Sequence, residues 1–429
     1  MDHPLINVTI DRLAFGGAGV GRLDSGKVVF VKGGYPGDRA LVRIGKEKKS
    51  HAEATLVKLV EPSENRREPA CAIASECGGC PWMGLNYETQ LEWKRTIAKD
   101  VLSRIGKTET DVKPVAPCPD EFGYRSRIRL KVISDGGQAR IGYYRPASHN
   151  LVPVEKCFIA TDQINIAIAG LNMFFKERAG IAGKIKEIEI ESAGAFVRLG
   201  IYATAPLGDV EAEKIMEACV SVKGLMVFHG KNRYEYGETS LDIPSINGET
   251  LQSGAGAFFQ VNAPMNLTLT QKVMAFSGLG PDKMGLDLFC GIGNFTLPLA
   301  RTGAGMTGID SSERAIQFAQ INRAEWNVIN AHFTSADAVY GAGQLKDSGI
   351  KFDTVILDPP RGGARDLIPV IAGLAKQRIV YVSCDPPALA RDTALLAQSG
   401  FKISSVEPVD MFPQTSHLEM VCLFETGNR

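Results

Sequence analysis

The stretch GLDLFCGIGNFT at residues 285–296 decides the fold of this chain. An apolar strand ends close to the acidic Asp287, the chain turns through two closely spaced glycines, and an apolar helix follows. This layout predicts a ligand at the carboxyl end of a strand, held against backbone N–H groups and a helix N-terminus. The pattern G-x-G-N lacks the third glycine of the dinucleotide fingerprint, so it predicts no seat for a pyrophosphate. A cofactor with a single adenosine, such as S-adenosylmethionine, is therefore favoured over NAD.

The sequence around this stretch alternates regularly between strands and helices. Asp310 ends the next apolar run, and a carboxylate at that position can accept hydrogen bonds from both hydroxyls of a ribose. Further strands are predicted at 352–358 and 378–383, and this alternation indicates a mostly parallel sheet with helices on both faces. The last two strands, near 403–408 and 417–424, have no helix between them and predict an edge hairpin. We expect residues 261–429 to form an α/β domain of the Rossmann-like type.

Two smaller units are expected before this domain. Residues 1–60 contain four short strand-like runs separated by glycine-rich turns, which predict a small closed barrel of the oligonucleotide-binding type. The glycine-rich run at 16–21 precedes a strand and not a helix, so we interpret it as a turn and not as a phosphate loop. Residues 61–260 mix strands with amphipathic helices and predict an α+β central domain. A helix over 86–106 is expected to pack against the third domain.

Length and composition are ordinary for a soluble globular protein. The chain has 429 residues, 44% hydrophobic content and a formal net charge of zero, and a length of this order predicts two or three domains. No apolar segment reaches about twenty residues, and the N-terminus (residues 1–4) lacks the basic and apolar pattern of a signal peptide. We therefore expect a cytoplasmic protein without membrane contact, and nothing in the sequence demands a protein partner or more than a monomer.

Positive charge is nevertheless concentrated in two places. Residues 1–60 carry ten Lys/Arg against six Asp/Glu, and residues 121–145 carry six against two. Basic faces of this size suit contact with phosphates, although a solvated strand face explains the same pattern without any ligand.

Three cysteines lie close together in the sequence, as Cys71-x5-Cys77-x2-Cys80. Such spacing brings three thiolates around one centre, and the fourth ligand must come from elsewhere, with Cys118 and Cys157 as candidates. An all-thiolate site suits an iron–sulfur cluster or zinc, and three unliganded thiols are the remaining alternative.

A different cysteine is a candidate nucleophile. Cys384 directly follows the predicted strand over 378–383, and reactive groups of open α/β sheets gather at such strand ends. A cysteine there, beside a helix start, can have a lowered pKa and attack an electrophile. A buried thiol acting only as a small hydrophobic side chain is an equally good interpretation of this position alone.

The motif DPPRGG at 358–363 directs the chemistry towards carbon methylation. Methyltransferases acting on amino groups of bases place an aromatic residue after the two prolines, whereas this chain has Arg361. Methylation of uracil C5 needs a thiolate on C6 to make C5 nucleophilic, and then a base to remove the C5 proton. Cys384 would supply the thiolate. Glu419, an acid at the start of the last predicted strand, would supply the base, unless it is an ordinary surface acid.

Taken together these motifs resemble a known family. FFQVN at 258–262, DLFCGIGNF at 287–295, DPPRGG, VSCDP at 382–386 and HLEMV at 417–421 occur in order, after the barrel and the cysteine triplet. In this the chain resembles the bacterial RNA uracil-C5 methyltransferases, in the subgroup with an N-terminal TRAM domain and a four-iron–four-sulfur cluster. The resemblance covers essentially the whole length, and it implies that residues 261–429 form a class I methyltransferase domain that uses S-adenosylmethionine.

The resemblance implies a role for each matching residue. Cys384 matches the nucleophile, Glu419 the base, Phe258 an aromatic residue near the target base, and Arg361 is added as a substrate contact. Six positions match residues that contact S-adenosylmethionine: Gln260, Phe289, Asn294, Asp310, Asp337 and Asp358. Four match ligands of a [4Fe–4S] cluster, with Cys157 and not Cys118 as the fourth: Cys71, Cys77, Cys80 and Cys157.

The substrate implied is RNA, with the barrel as an RNA platform and the target base extruded from its stack. We favour 23S ribosomal RNA, and the T-loop of tRNA is the alternative with the same chemistry. A non-catalytic RNA-binding protein with a vestigial cofactor fold is the alternative of another class. It predicts the loss of Cys384 or Glu419, and both are present.

Overall fold

The computed structural model describes residues 4–427, so the predicted absence of a signal pattern at the N-terminus lies partly outside the described residues. None of the helices within these residues is long and apolar enough to cross a bilayer. Four β-structures follow one another along the described residues: a closed barrel, a mixed seven-stranded sheet, a two-stranded hairpin and a second, mostly parallel seven-stranded sheet.

The barrel has the strand order β1-β2-β3-β5-β4 and closes through pairing of β1 with β4. Its strands are β1 (Leu5–Leu13), β2 (Gly19–Arg22), β3 (Val28–Lys32), β4 (Arg39–Glu47) and β5 (His51–Glu61). Alternate apolar side chains such as Val8, Ile10 and Val29 point inward and form its core. The predicted barrel is thus confirmed, but it has one strand more than the sequence indicated.

The additional strand, β2, lies partly within the glycine-rich run that we interpreted as a turn. A Cβ atom on Gly21 would lie 2.4 Å from the carbonyl oxygen of Thr9 on the neighbouring strand β1. Glycine therefore serves here to let two strands of a small barrel approach closely, which a sequence pattern based on turn residues does not reveal.

Two helices link the barrel to the central sheet: α1 (Ala74–Cys77) and α2 (Tyr87–Arg104). The Asn86 side chain accepts a hydrogen bond from the backbone N–H of Thr89 and so caps α2. Ala98 and Leu102 of α2 are buried in the same apolar core as Leu389 and Leu396 of the C-terminal domain. Although α2 lies in the first third of the sequence, it packs as part of the C-terminal domain.

The central sheet has the order β12-β11-β10-β9-β6-β7-β8. Its apolar side chains, for example Ile128, Ile188 and Leu199, pack against the helices on one face. Its elements are β6 (Arg127–Asp135), β7 (Gln138–Tyr144), β8 (Leu151–Pro153), α3 (Asp162–Glu177), α4 (Ala179–Ala182), β9 (Ile185–Ala193), β10 (Phe196–Ala203), α5 (Asp209–Glu217), β11 (Val222–His229) and β12 (Asn232–Gly237).

A hairpin of β13 (Leu241–Pro244) and β14 (Thr250–Ser253), with a 3-10 turn at Ile246–Gly248, leads into the C-terminal domain. The elements of that domain are α6 (Ala263–Ser277), β15 (Met284–Leu288), α7 (Thr296–Ala300), β16 (Gly305–Asp310), α8 (Glu313–Glu325), β17 (Ala331–Ser335), α9 (Ala338–Asp347), β18 (Phe352–Leu357), α10 (Ile368–Leu374), β19 (Ala375–Ser383), α11 (Pro386–Gln398), β20 (Phe401–Val409) and β21 (Glu419–Thr426).

The C-terminal sheet has the order β17-β16-β15-β18-β19-β21-β20, and only β20 and β21 introduce antiparallel pairing. The predicted parallel sheet and edge hairpin are both present. The hairpin is inserted so that β21 pairs with β19 and β20 forms the edge. Parallel strands end at the same edge of a sheet, so the carboxyl ends of β15, β16, β18 and β19 lie side by side, together with the beginning of β21.

Candidate active site

The end of β15 forms one wall of a cavity. Phe289, the residue after this strand, has a φ of 66°, in the left-handed region that non-glycine residues rarely adopt. The N–H groups of Phe289 and Cys290 both donate to the carbonyl oxygen of Ile309 on β16, which holds this strained turn in place. Strain of this kind gathers at ligand sites, where the surrounding structure fixes it.

Most of the residues predicted to contact the cofactor lie around this cavity. Its lining includes Gln260, Phe289, Asn294 and Asp358, together with the predicted substrate residue Phe258. Phe258 is 58% exposed, which is unusual for a phenylalanine and leaves its ring available to a ligand.

The two remaining predicted residues, Asp310 and Asp337, are not among the residues that line this cavity. The Asp310 carboxylate accepts hydrogen bonds from the backbone N–H groups of Gly291 and Ser312, so it shapes the glycine turn that lines the cavity. Asp337 caps α9 by accepting from the N–H groups of Val339 and Tyr340, and it does not line the cavity.

One polar residue of the cavity was missed from the sequence. Asn266 on α6 exchanges two hydrogen bonds of 2.9 Å with Asn294, one in each direction between their side-chain amides. The sequence contains little indication of this residue, because Asn266 lies outside the FFQVN motif, one helical turn after it. In the structure Asn266 is almost fully buried. A reciprocal amide pair fixes the orientation of both side chains, so Asn294 is presented to the cavity in one orientation.

Cys384 and Glu419 lie opposite each other. Ser383, the last residue of β19, pairs with Met420 on the antiparallel strand β21. Continuing this register by one residue places Cys384 across from Glu419. Glu419 is 3% exposed, so it is not the ordinary surface acid that the sequence left as an alternative. Its Oε1 atom has no hydrogen-bond partner within residues 4–427.

The charges around Cys384 decide its protonation. Burial, followed by the nearby Glu419 and Asp358 carboxylates, raises the pKa of the Cys384 thiol to about 11, against the opposing charge of Arg361. Arg361 is exposed on the loop after β18, where its positive charge lies close enough to affect the thiol. A positively charged ligand in the cavity would favour the thiolate for the same electrostatic reason.

Asp358 and Glu419 are two neighbouring acids of the site. Burial raises the pKa of Asp358 to about 7, while a 3.3 Å hydrogen bond from Gln260 partly offsets the rise. Burial, and next the Asp358 charge, raise the pKa of Glu419 well above its ordinary range. A carboxylate with a raised pKa is a stronger base, which suits the removal of a proton from carbon.

A second cavity is lined by four of the predicted ligand residues: Cys71, Cys77, Cys80 and Cys157. Burial, followed by the nearby sulfurs of Cys157, Cys77 and Cys71, raises the pKa of Cys80 to about 12. Among residues 4–427, however, no group of three or more His, Cys, Asp or Glu side chains is arranged to hold a metal ion. The predicted cluster therefore stays a prediction.

The other candidate for a fourth ligand, Cys118, lies apart from the cysteine cavity. It lines a separate cavity and its sulfur accepts a 3.4 Å hydrogen bond from the Asn262 side chain. The structure thus places Cys157, and not Cys118, with the cysteine triplet.

Two family models match the chain. Residues 235–426 match the tRNA (Uracil-5-)-methyltransferase model. Residues 5–57, which form most of the barrel, match the TRAM domain.

Relatives of known activity match over nearly the whole length. The 23S rRNA (uracil(1939)-C(5))-methyltransferase of Shewanella sediminis is 30% identical over 98% of this chain and 96% of its own. The enzyme of the same description from Pseudomonas aeruginosa is 31% identical over 98% of this chain and 94% of its own.

A solved structure with the same architecture is also found. The tRNA (uracil-54, C5)-methyltransferase of Pyrococcus abyssi, in complex with S-adenosyl-L-homocysteine, has a TM-score of 0.77 and 26% sequence identity. The match covers 98% of this chain and all of that one.

Proposed function

Since this chain belongs to the RNA uracil-C5 methyltransferases, we propose that it methylates a uridine of 23S ribosomal RNA, with Cys384 as nucleophile and Glu419 as base. It is an S-adenosylmethionine-dependent RNA methyltransferase that acts on uracil C5. The observation that carries the proposed mechanism is the opposition of Cys384 and the buried Glu419 beside the cofactor cavity.

The residues of the cavity suit a methyl donor with a sulfonium charge. Gln260, Phe289, Asn294 and Asp358 would line its binding site, and Asp310 would support the glycine turn against which it lies. S-adenosylmethionine supplies an electrophilic methyl group when bound. The partly buried carboxylate of Asp358 is suited to a cation, because a negative charge that is largely removed from water is costly unless it is paired.

We propose that the Cys384 thiolate adds to C6 of the uracil, which turns the ring into an enolate that is nucleophilic at C5. Once C5 carries the methyl group, Glu419 accepts the C5 proton. The electron pair of the C–H bond forms the C5=C6 double bond, and the bond between C6 and the Cys384 sulfur breaks to return the thiolate. Glu419 ends this step as a carboxylic acid, which its raised pKa favours.

Phe258 and Arg361 are the residues we propose for holding the target base. Phe258 presents an exposed ring at the mouth of the cofactor cavity, on which an extruded base can stack. The guanidinium of Arg127 lies 5.0 Å from the centre of the same ring. Arg361 places a positive charge near Cys384, where the enolate forms.

The choice of 23S ribosomal RNA rests on the full-length relatives with that activity at 30–31% identity, against 26% for the tRNA-modifying enzyme of known structure. Purified enzyme with methyl-labelled donor is therefore expected to label 23S RNA and not a tRNA transcript. Nuclease digestion and mass spectrometry of the product should show 5-methyluridine at one position. Label on tRNA alone would support the alternative substrate, and label on a ribose or an amino group would contradict the proposed chemistry.

We further propose that Cys71, Cys77, Cys80 and Cys157 hold a [4Fe–4S] cluster. The support is that all four thiols line one cavity within reach of each other's charge. If a [4Fe–4S] cluster is bound, each of its four irons would be held by one of these thiolates. No step of the methyl transfer needs this group, and its role would be to tie the cysteine loop to the central sheet.

The cluster is tested by anaerobic purification. The protein is expected to be brown, to absorb at about 400 nm and to contain close to four irons per chain. The Cys71→Ser variant is expected to lose most of this iron, whereas Cys118→Ala, a control in a different cavity, is expected to keep it. A colourless protein with stoichiometric zinc, or equal iron loss in both variants, would overturn the assignment.

A further inference from the structure

The residues that connect β20 to β21 lead directly into Glu419. This segment, Asp410–Leu418, is here called the strap. Asp410, Met411 and Gln414 of the strap are fully buried, and Gln414 has a φ of 68°. The buried polar groups of Gln414 need hydrogen-bond partners. Its strained backbone conformation is also stable only when the surrounding structure fixes it.

The partners of the strap come from the first third of the chain. Lys94 of α2 is fully buried and its Nζ atom lies 2.5 Å from Oδ1 of Asp410. The same ammonium donates to the carbonyl oxygen of Phe412 at 3.0 Å. Both side chains of this ion pair have no exposed surface, so the pair joins α2 to the start of the strap.

Gln414 lies at the centre of the strap. Each of its polar groups forms a hydrogen bond with a residue outside the C-terminal sheet. Its N–H donates to Oε1 of Gln90 at 3.0 Å, and Nε2 of Gln90 donates back to Oε1 of Gln414 at 3.1 Å. The carbonyl oxygen of Gln414 accepts from the N–H of Trp82, and its side chain contacts Arg67 and Glu121.

We infer that Gln90 is a positioning residue for the reaction: through Gln414 it fixes the strap so that the Glu419 carboxylate stands opposite Cys384. The inference rests on the proposed role of Glu419 as base. Gln90 touches neither substrate nor the reacting atoms. Cys384 is held by β19 and by the start of α11, so a loosened strap shifts the base while the nucleophile stays in place.

This arrangement separates the two halves of the reaction. Addition of the Cys384 sulfur to C6 does not need Glu419. Release does, because the C5–H bond breaks only when Glu419 takes the proton, and only then does the C5=C6 bond form and the C6–S bond break. A displaced strap is therefore expected to slow release and to leave addition almost unchanged.

The test is Gln90→Met, which keeps the length of the side chain and removes both hydrogen bonds to Gln414, together with those that Gln90 donates to the carbonyl oxygens of Trp82 and Leu85. Lys99→Leu, an exposed position on the same helix, is the matched control. RNA substrate and methyl donor are mixed with excess enzyme, the reaction is quenched at intervals, and the covalent adduct is resolved on denaturing gels. Since the adduct lifetime is measured per adduct formed, it does not depend on the fraction of the variant that folds.

For Gln90→Met the adduct lifetime is expected to rise about 10- to 100-fold, the cost of a displacement of roughly 1 Å at a reacting group. The KM for both substrates is expected to change little, and Lys99→Leu should behave as wild type. A wild-type adduct lifetime in Gln90→Met, or equal slowing of addition and release, would refute the inference. Glu419→Gln is run in parallel. If that variant also gives a wild-type adduct lifetime, the proposed base is wrong, and the failure is not that of Gln90.

Discussion

Replacement of Cys384 by alanine is expected to abolish methyl transfer, with a loss of about 10⁴-fold or more, as for other enzymes that lose their nucleophile. The physical reason is that uracil C5 becomes nucleophilic only after a thiolate has added to C6. Alanine removes the sulfur and leaves the carboxylates of the site in place. Affinity for S-adenosylmethionine is therefore expected to stay within a few-fold of wild type in titration calorimetry.

The same variant is best examined with RNA that contains 5-fluorouracil. Fluorine at C5 cannot leave as a proton, so the wild-type enzyme should freeze as a covalent adduct that survives denaturation. Cys384→Ala should give none, whereas Cys219→Ala, a control in the core of the central domain, should give as much adduct as wild type. Methylation by Cys384→Ala, or an adduct that persists in it, would exclude Cys384 as the nucleophile.

Replacement of Glu419 by glutamine is expected to lower turnover by about 10³-fold, within the range of contributions measured for general bases. Glutamine has the shape of glutamate and keeps an oxygen at the end of the side chain, but its neutral amide cannot accept the C5 proton. Addition of Cys384 and methyl transfer should still proceed. The adduct on ordinary uracil RNA should therefore accumulate to nearly one per enzyme.

The pH dependence provides a control for this interpretation. Because burial and Asp358 raise the pKa of Glu419, the base is formed as pH rises, and release by the wild-type enzyme should accelerate with pH. Release by Glu419→Gln should not show that rise. Normal turnover in Glu419→Gln, without accumulated adduct, would mean that another group takes the proton.

The features that could be predicted from the sequence are those encoded by neighbouring residues. The strand endings at Asp310, Asp358 and Cys384 are each marked by an apolar run that stops at a polar residue, whereas β15 continues one residue past Asp287 to Leu288. Because the strands are parallel, these endings meet at one edge of the sheet, and the cavity lies there. The local pattern and the rule for parallel sheets were sufficient for this part of the site.

The features that could not be predicted from the sequence depend on pairing between distant segments. The burial of Glu419 follows from the insertion of β21 between β19 and β20, and the sequence around Glu419 does not contain that arrangement. Strand β2 was not predicted because its glycines, which usually indicate a turn, here allow two strands of the closed barrel to lie close together. The network of Gln90 and Lys94 joins residues more than 300 positions apart, on a helix whose apolar pattern is ordinary.

The buried pair of Lys94 and Asp410 also limits how this protein can be recombined. Either charge buried without its partner would destabilise the protein by about 3–5 kcal/mol. A chimaera that takes its C-terminal domain from one relative and its first hundred residues from another must therefore exchange α2 and the strap together. A chimaera that carries the C-terminal domain without its matching helix α2 would leave one of the two charges unpaired. Substitutions at Lys94 and Asp410 are therefore expected to occur together among related sequences.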